Sequence, residues 1–472
     1  MSSVSDEWSD VTLGQIANYV NGRGFAKSEW ETKGLPIVRI QNLNDHDAAF
    51  NYSSAQHEAK YRIESGDILI SWAASLGVYE WKRGPGWLNQ HIFRVELDED
   101  QCDRRLYLHA LEHAMAALRA KAHGSGMVHI TKGKFESHTL SLPPRAAQPA
   151  LADKIDELFS RIDEGERALR RVETLVERYR QSVLKAAVTG ELTRDWRAAN
   201  RERLAAEGDT GQALLDRILT ARREAWETAE LEKLIAKGQP PKTDAWKAKY
   251  KEPVAPDTDG LPELPEGWVW ANVGQLGLVT GGLTKNSKRA LLPDKRPYLR
   301  VANVYASELR LDEVHEIGVK PSELARVTLK RGDLLVVEGN GSPDQIGRVA
   351  IWDGAIDGCV HQNHLIKVRF ADDWISQWAA TWLASPHGKA SVRSVASSTS
   401  GLYTLSLRKV ESLAVPLPPE IEAAAVIAES ERRITSIAAA EHELGPVTNR
   451  SSALRQAVLS AAFSGQLITE NK

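Results

Sequence analysis

The stretch SGMVHITKGKFESHTLSLPP at residues 125–144 returns as SGLYTLSLRKVESLAVPLPP at residues 400–419, and this return decides the fold. The two align without a gap at an offset of 275, with eight of twenty positions identical. Downstream, RQSVLKAAVTGEL (180–192) and RQAVLSAAFSGQL (455–467) keep that offset, with eight of thirteen identical. Upstream the offset shrinks, as loop insertions in the second copy require. QHIFRV (90–95) pairs with NHLIKV (363–368), GDILIS (66–71) with GDLLVV (332–337), PIVRIQN (36–42) with PYLRVAN (297–303), and LGQI (13–16) with VGQL (273–276). The order never changes, so one unit is written twice.

Each copy opens with short, apolar, β-branched runs punctuated by Gly, Asp and Asn, which read as strands. RRLYLHALEHAMAALRAKA (104–122) and DWISQWAATWLASPHGKASV (373–392) read as helices, so each globule is mixed α/β. Asp67 and Asp333, after Gly and before apolar runs, read as turn residues entering strands. Beyond the Pro-Pro pair the period changes. Leu151, Ile155, Leu158, Ile162, Leu169, Val172, Val176, Tyr179 and Val183 form one apolar seam. Such a seam predicts a helix of roughly 45 to 50 residues, about 70 Å long. Ile427, Ile434, Ile437, Leu444, Val447, Leu454 and Val458 repeat it, with a break or kink expected at Gly445-Pro446. Two one-sided helices in one chain pack most simply on each other as an antiparallel coiled coil; the alternative is that each packs on its own globule.

The expected plan is a mixed α/β globule at 1–144, a central long helix at 145–195, a helical and Pro/Lys-rich linker at 196–262, a second globule at 263–419 and a C-terminal long helix at 420–472. Within the linker, 211–237 carries an amphipathic pattern, and the following segment with Lys242, Lys247, Lys249 and Lys251 has the composition of a solvated tether.

With 472 residues, 42% hydrophobic and 26% charged, the chain is an ordinary globular protein of two or more domains. Its net charge of −3 does not advertise a nucleic-acid binder, but phosphate binding depends on local Lys and Arg rather than on the sum. Cys102 and Cys359 are the only cysteines, which excludes a disulfide framework and fits a reducing compartment. No apolar stretch is long enough to span a membrane, and the opening MSSVSDEWSD lacks the pattern of a secretory signal, so a cytoplasmic protein is expected. No Gly-rich phosphate loop, paired-His metal motif or nucleophile elbow occurs in either copy, which points to binding rather than catalysis.

Two mixed α/β globules, each closing on LSLPP or PLPP and leading into a helix that ends RQSVLKAAVTGELT or RQAVLSAAFSGQLI, resemble the specificity subunit of type I restriction–modification systems. LPELPEGWVWANVGQLG (261–277) and, more loosely, DEWSDVTLGQIANYVNGRG (6–24) resemble the opening of its target-recognition domains. The second copy departs from the family pattern after Pro-Pro: PPRAAQ (143–148) keeps a Gln at the helix start, whereas PPEIEA (418–423) lacks it. The resemblance implies two recognition domains in a pseudo-two-fold arrangement, separated by the paired helices. Each would read one half of a bipartite, asymmetric target in double-stranded DNA, with the helices setting the gap. It implies a non-catalytic chain that binds no cofactor itself. Its partners would be two methyltransferase subunits, using S-adenosylmethionine to methylate adenine N6, and two restriction subunits using ATP and Mg2+. A specificity subunit serving only a methyltransferase, and a duplicated scaffold that binds only proteins, remain open.

Base reading needs Arg, Lys, Asn and Gln. In the first copy the candidates are Asn21, Arg23 and Lys27 in one loop, Arg39, Gln41 and Asn42 at a strand end, Trp72 and Ser75, Lys121 and Ser125, and Lys132 and Lys134 for phosphates. In the second they are Lys285, Asn286, Lys288 and Arg289, then Arg300 and Asn303, Asn340 and Ser342, Arg393, Ser398 and Thr399, with Arg408 and Lys409 for phosphates. Their loops differ between copies while the flanks match, as two readers of different sequences require.

Overall fold

The computed structural model describes residues 8–73, 75–122, 131–340, 345–399 and 402–468. It divides into two compact units, one running to Val172 and resuming at His442, the other Glu173–Glu441.

In the first unit Ala17–Asn21 pairs with Ile92–Leu97, which pairs with Ile68–Ser71, which pairs with Gly77–Glu80, all antiparallel. A second sheet runs Asn51–Ser53, Leu35–Val38, Gly86–Leu88, Arg62–Ile63, parallel at its centre. Ser9–Thr12 pairs with Thr139–Leu142. The second unit repeats this plan. Gly277–Gly281, Leu365–Phe370, Leu334–Val337 and Val349–Ile351 form its first sheet, and His315–Gly318, Lys295–Leu299 and Val360–His361 its second. Val269–Asn272 pairs with Ala414–Leu417. The registers also repeat: Tyr19 faces Val95 as Val279 faces Val368, and Ile37 faces Trp87 as Tyr298 faces Val360. The turn aspartates behave as expected, Asp67 accepting from the Glu64 amide (2.8 Å) and Asp333 from the Lys330 amide (2.7 Å).

The central helix is Gln148–Val188 and the C-terminal helix Glu420–Phe463. Each unit holds the start of one and the end of the other. In the first unit Leu151, Ile155 and Phe159 share a core with Leu459, Ala462 and Phe463, and the Arg455 guanidinium sits 4.9 Å over the Phe159 ring. In the second, Ala187 and Val188 share a core with Val426 and Ile427, and Arg180 pairs with Glu441 at 2.5 Å. Start meets end in both places, so within each unit the two helices run antiparallel. Both helices stop at a left-handed glycine, Gly190 (φ +68) or Gly465 (φ +77). A side chain on Gly190 would press on Trp268, and one on Gly465 would approach Trp8. The recurring TGEL/SGQL ending is thus a glycine turn seated beside a tryptophan.

Three expectations need correction. The helix is unbroken through Gly445 and Pro446: one missing N–H at Pro446 removes one backbone bond, and the helical turns on either side carry on. The central seam is buried at its ends only; Val172 and Tyr179 are exposed. The Lys-rich part of the segment between the copies, read as a solvated tether, is packed on the helix that precedes it. That helix, Gly211–Ala236, sends Leu214, Leu215 and Ile218 into the second core, and Arg222 donates to the carbonyls of Gly274 (2.6 Å) and Gly277 (2.8 Å). The Lys-rich stretch folds back on that helix through stacking of Trp246 on Trp226 and a Lys247–Glu227 pair.

Candidate nucleic-acid interface

Both variable loops leave the sheet by the same device. A side-chain carbon on Gly22 would lie 2.0 Å from the Asn89 carbonyl oxygen, and one on Gly282 2.2 Å from that of His361, so only glycine fits. The next residue then bridges in parallel to the neighbouring chain, Arg23 to Asn89 and Leu283 to Gln362. Each loop goes on to a short helix, Lys27–Glu29 or Ser287–Ala290. The residues capping these helices, Trp30 and Leu291, occupy equivalent places and are exposed, Leu291 at 86%. Neither was singled out from the sequence, although the repeat aligns them.

Within the loops the cations divide into two kinds. Arg23 pairs with Glu29 (2.6 Å), donates to His57 Nδ1 (2.5 Å) and lies 4.5 Å over Phe25. Arg289 forks onto both oxygens of Glu323 (2.9 and 2.7 Å) and donates to the carbonyls of Thr284 and Gly318. That guanidinium holds the Glu323 carboxyl down at about 2. Both arginines are engaged in stapling their own loops. Lys27, Lys285 and Lys288 are exposed, and Lys285 and Lys288 make no ion pair among the described residues. Asn286 caps its helix, accepting from the Arg289 amide at 3.1 Å, and Asn21 is exposed at its strand end.

The RIQN and RVAN turns need correction. Asn42 (1% exposed) accepts from the Arg39 amide and donates to the carbonyls of Ala48 and Ala49. Asn303 (3% exposed) does the same with Arg300, Arg310 and Glu313. Buried and satisfied, neither reads a base; both shape a turn. Arg39 lies 5.0 Å over the Trp30 ring, Gln41 is exposed, and Arg300 reaches Glu313 at 3.4 Å. Ser75 and Tyr79 both donate to Asn44 (3.4 and 2.5 Å), so the loop, the strand-end turn and the segment around Ser75 meet along one edge. Trp72 is half-buried, stacked on Phe93 at 5.7 Å. That fits a core-facing ring better than an open stacking platform.

In the second unit, the strands Ser397–Thr399, Leu402–Thr404 and Gly339–Asn340 make one small sheet, which places Asn340, Ser398 and Thr399 together by their backbones. Lys409 donates to Ser397 Oγ. It lies with exposed Arg408 on the helix Leu407–Glu411, whose first residue borders Gly281 at the root of the loop. Arg393 is exposed near the end of the preceding helix. Lys132 pairs with Glu136 at 3.5 Å, and Lys134 is exposed on the matching helix of the first unit. Lys121 is placed by its backbone alone, and Ser125 and Ser342 lie outside the described residues.

No group of three or more His, Cys, Asp or Glu among the described residues is arranged to hold a metal, and no described helix is long and apolar enough to cross a membrane. Burial pushes the Cys102 and Cys359 thiols up to about 12, which keeps them from acting as nucleophiles.

An α/β unit written twice, with matching frames and unlike loops, defines a duplicated α/β protein. Residues 5–173 match the type I restriction modification DNA specificity domain family. The type I restriction enzyme EcoBI specificity subunit of Escherichia coli is 25% identical over 99% of this chain and 88% of its own length. The StySPI specificity subunit of Salmonella potsdam is 23% identical over 98% and 90%. A solved chain, from work on complex assembly and conformational transition of the type I R-M system, has the same fold (TM-score 0.64, 14% identity, 99% of this chain and 100% of that one). Along nearly its whole length the chain is similar to type I restriction–modification specificity subunits.

Proposed function

We propose that the chain reads a bipartite, asymmetric sequence in duplex DNA, one half-site per unit, and docks the methyltransferase and restriction subunits of a type I system while carrying out no catalysis itself. The observation that carries this reading is the contrast within each repeat: strand order and register coincide, whereas the loops at 21–34 and 282–295 differ in their lysines and exposed caps. Two separated readings multiply specificity if the distance between them is fixed, and paired helices are stiff enough to fix it. Lys27, Lys285, Lys288, Gln41 and Arg408 are exposed and chemically suited to bases and phosphates. Exposed Leu175 and Tyr179 on the central helix offer an apolar strip for a partner subunit.

S-adenosylmethionine, ATP and Mg2+ would belong to the partners, and the setting would be the cytoplasm. Single-molecule methylation sequencing of the host genome, with and without this gene, tests the reading. One gapped adenine-methylated motif disappears with the gene if it is right. An unchanged methylome contradicts it.

A further inference from the structure

The two copies part company at one place on their first sheets. In the first unit, Asn18 donates to Glu96 (2.8 Å), Arg94 pairs with Glu96 (2.7 Å), and Arg94 reaches the Lys60 carbonyl at 3.5 Å. The network is closed and contains its own carboxylate. In the second unit the same register positions hold Leu278 facing Arg369 and Thr280 facing Lys367. Lys367 reaches the Arg326 carbonyl as Arg94 reaches that of Lys60. A guanidinium has replaced the carboxylate, and a leucine the asparagine. What remains is a cavity of about 300 Å³ lined by Leu278, Thr280, Ala325, Arg326, Lys367 and Arg369.

Its cations are fixed from behind. Lys367, 2% exposed, gives two N–H groups to the carbonyls of Arg326 (2.6 Å) and Thr328 (3.2 Å), which leaves the third. Arg369 gives Nε and Nη2 to Asp333, both at 2.6 Å, which leaves Nη1. Arg326 is tied to the Gly281 carbonyl through Nη1. The Thr280 hydroxyl oxygen is buried and has no partner. Asp333 is the carboxylate that pairs with Arg369 and faces Lys367, so the cations lining the cavity outnumber it. Burial first, and the Arg369 charge second, hold the Lys367 ammonium down to about 8. An anion would relieve that repulsion and use the donors left over, and a multidentate oxyanion would use most of them.

We propose that this cavity binds a tetrahedral oxyanion of the phosphate class, and that the first unit has no counterpart. Such a group has two sources, free inorganic phosphate or a backbone phosphate of duplex DNA, and only the second rests on the chain being a DNA reader.

The test uses the full chain, with Lys367→Met and Thr280→Val variants. Thr280→Val preserves shape and serves if loss of the lysine, which also caps two carbonyls, prevents folding. Thermal stability is measured in sodium phosphate against sodium chloride at equal ionic strength, and duplex affinity is measured across a salt series. Phosphate is expected to stabilise the parent chain. The apparent affinity should weaken about tenfold in Lys367→Met and about threefold in Thr280→Val, as loss of a charged and a neutral hydrogen bond predicts. If the source is DNA, duplex displaces phosphate and the slope of log affinity against log salt falls by about one in Lys367→Met. If it is free phosphate, that slope stays put while the stabilisation is lost. A chain that binds no duplex at all defeats the DNA reading yet leaves the phosphate readout intact. The proposal is overturned if neither readout separates the variants from the parent.

Discussion

The two long helices begin at equivalent places and are anchored by unlike chemistry. The central helix starts at Gln148, 2% exposed, whose amide accepts from the Asp103 N–H (2.7 Å) and donates to the carbonyls of Gln101 (3.3 Å) and Pro143 (3.1 Å). The C-terminal helix has no such glutamine. Its first turn holds Glu422, fully buried, which accepts from the Thr193 hydroxyl (2.7 Å), the Trp268 indole (2.9 Å) and Arg197 (2.8 Å). Asp209 meanwhile accepts from the amides of Glu420 and Ile421 (3.0 and 2.8 Å), as an N-cap would. A neutral amide serves one copy and a charged cluster the other. Duplication has kept the position of the fastening and let its chemistry drift, and Arg197 and Asp209, from the segment between the copies, supply replacement parts.

The difference predicts unequal sensitivity. Glu422→Ala strands Arg197, whose side chain is only 18% exposed, and should cost about 3–5 kcal/mol; calorimetry and hydrogen exchange at residues 420–430 would show it. Gln148→Ala loses three neutral bonds and should cost about 1–3 kcal/mol by the same measurements. An equal or larger loss at Gln148 would undo the comparison. At the helix ends, Gly190→Ala and Gly465→Ala each force a left-handed residue, at about 1–2 kcal/mol. Gly190→Ala should be the worse, because a side chain there would meet Arg197 and Pro265 at 2.5 Å whereas Gly465 has nothing nearer than 3.6 Å. Smallest in stability is Lys288→Ala, within about 0.5 kcal/mol, yet it should weaken duplex binding and lower the salt slope by about one. Arg23→Ala should do the reverse, loosening its loop by losing Glu29 and His57 before it touches affinity. Denaturation and gel-shift titration of the two variants separate the roles.

What the sequence disclosed follows from what repeats can carry. The strands and their correspondence between the copies were legible because GDILIS and GDLLVV, or HIFRV and HLIKV, align residue for residue; how they pair within a copy was not. Nor were side-chain partners. Arg23 and Arg289 carry the right chemistry for phosphate, but their acids do not correspond: Glu29 ends the short helix of the same loop, whereas Glu323 sits on the separate helix Pro321–Val327. Asn42 and Asn303 looked alike because both build the same buried turn, so their recurrence signalled structure rather than base reading. Pro446 was read as a break or kink because local propensity was the only term visible, and the Lys-rich stretch after residue 237 as a tether because its stacking partner, Trp226, lies on the preceding helix.

The claim that the helices measure a distance is the one on which the rest depends. Insertion of four helical residues after Arg170, followed by methylation sequencing, tests it most directly. The account predicts the same two half-sites with an altered gap between them; an unaltered gap with methylation intact would contradict it.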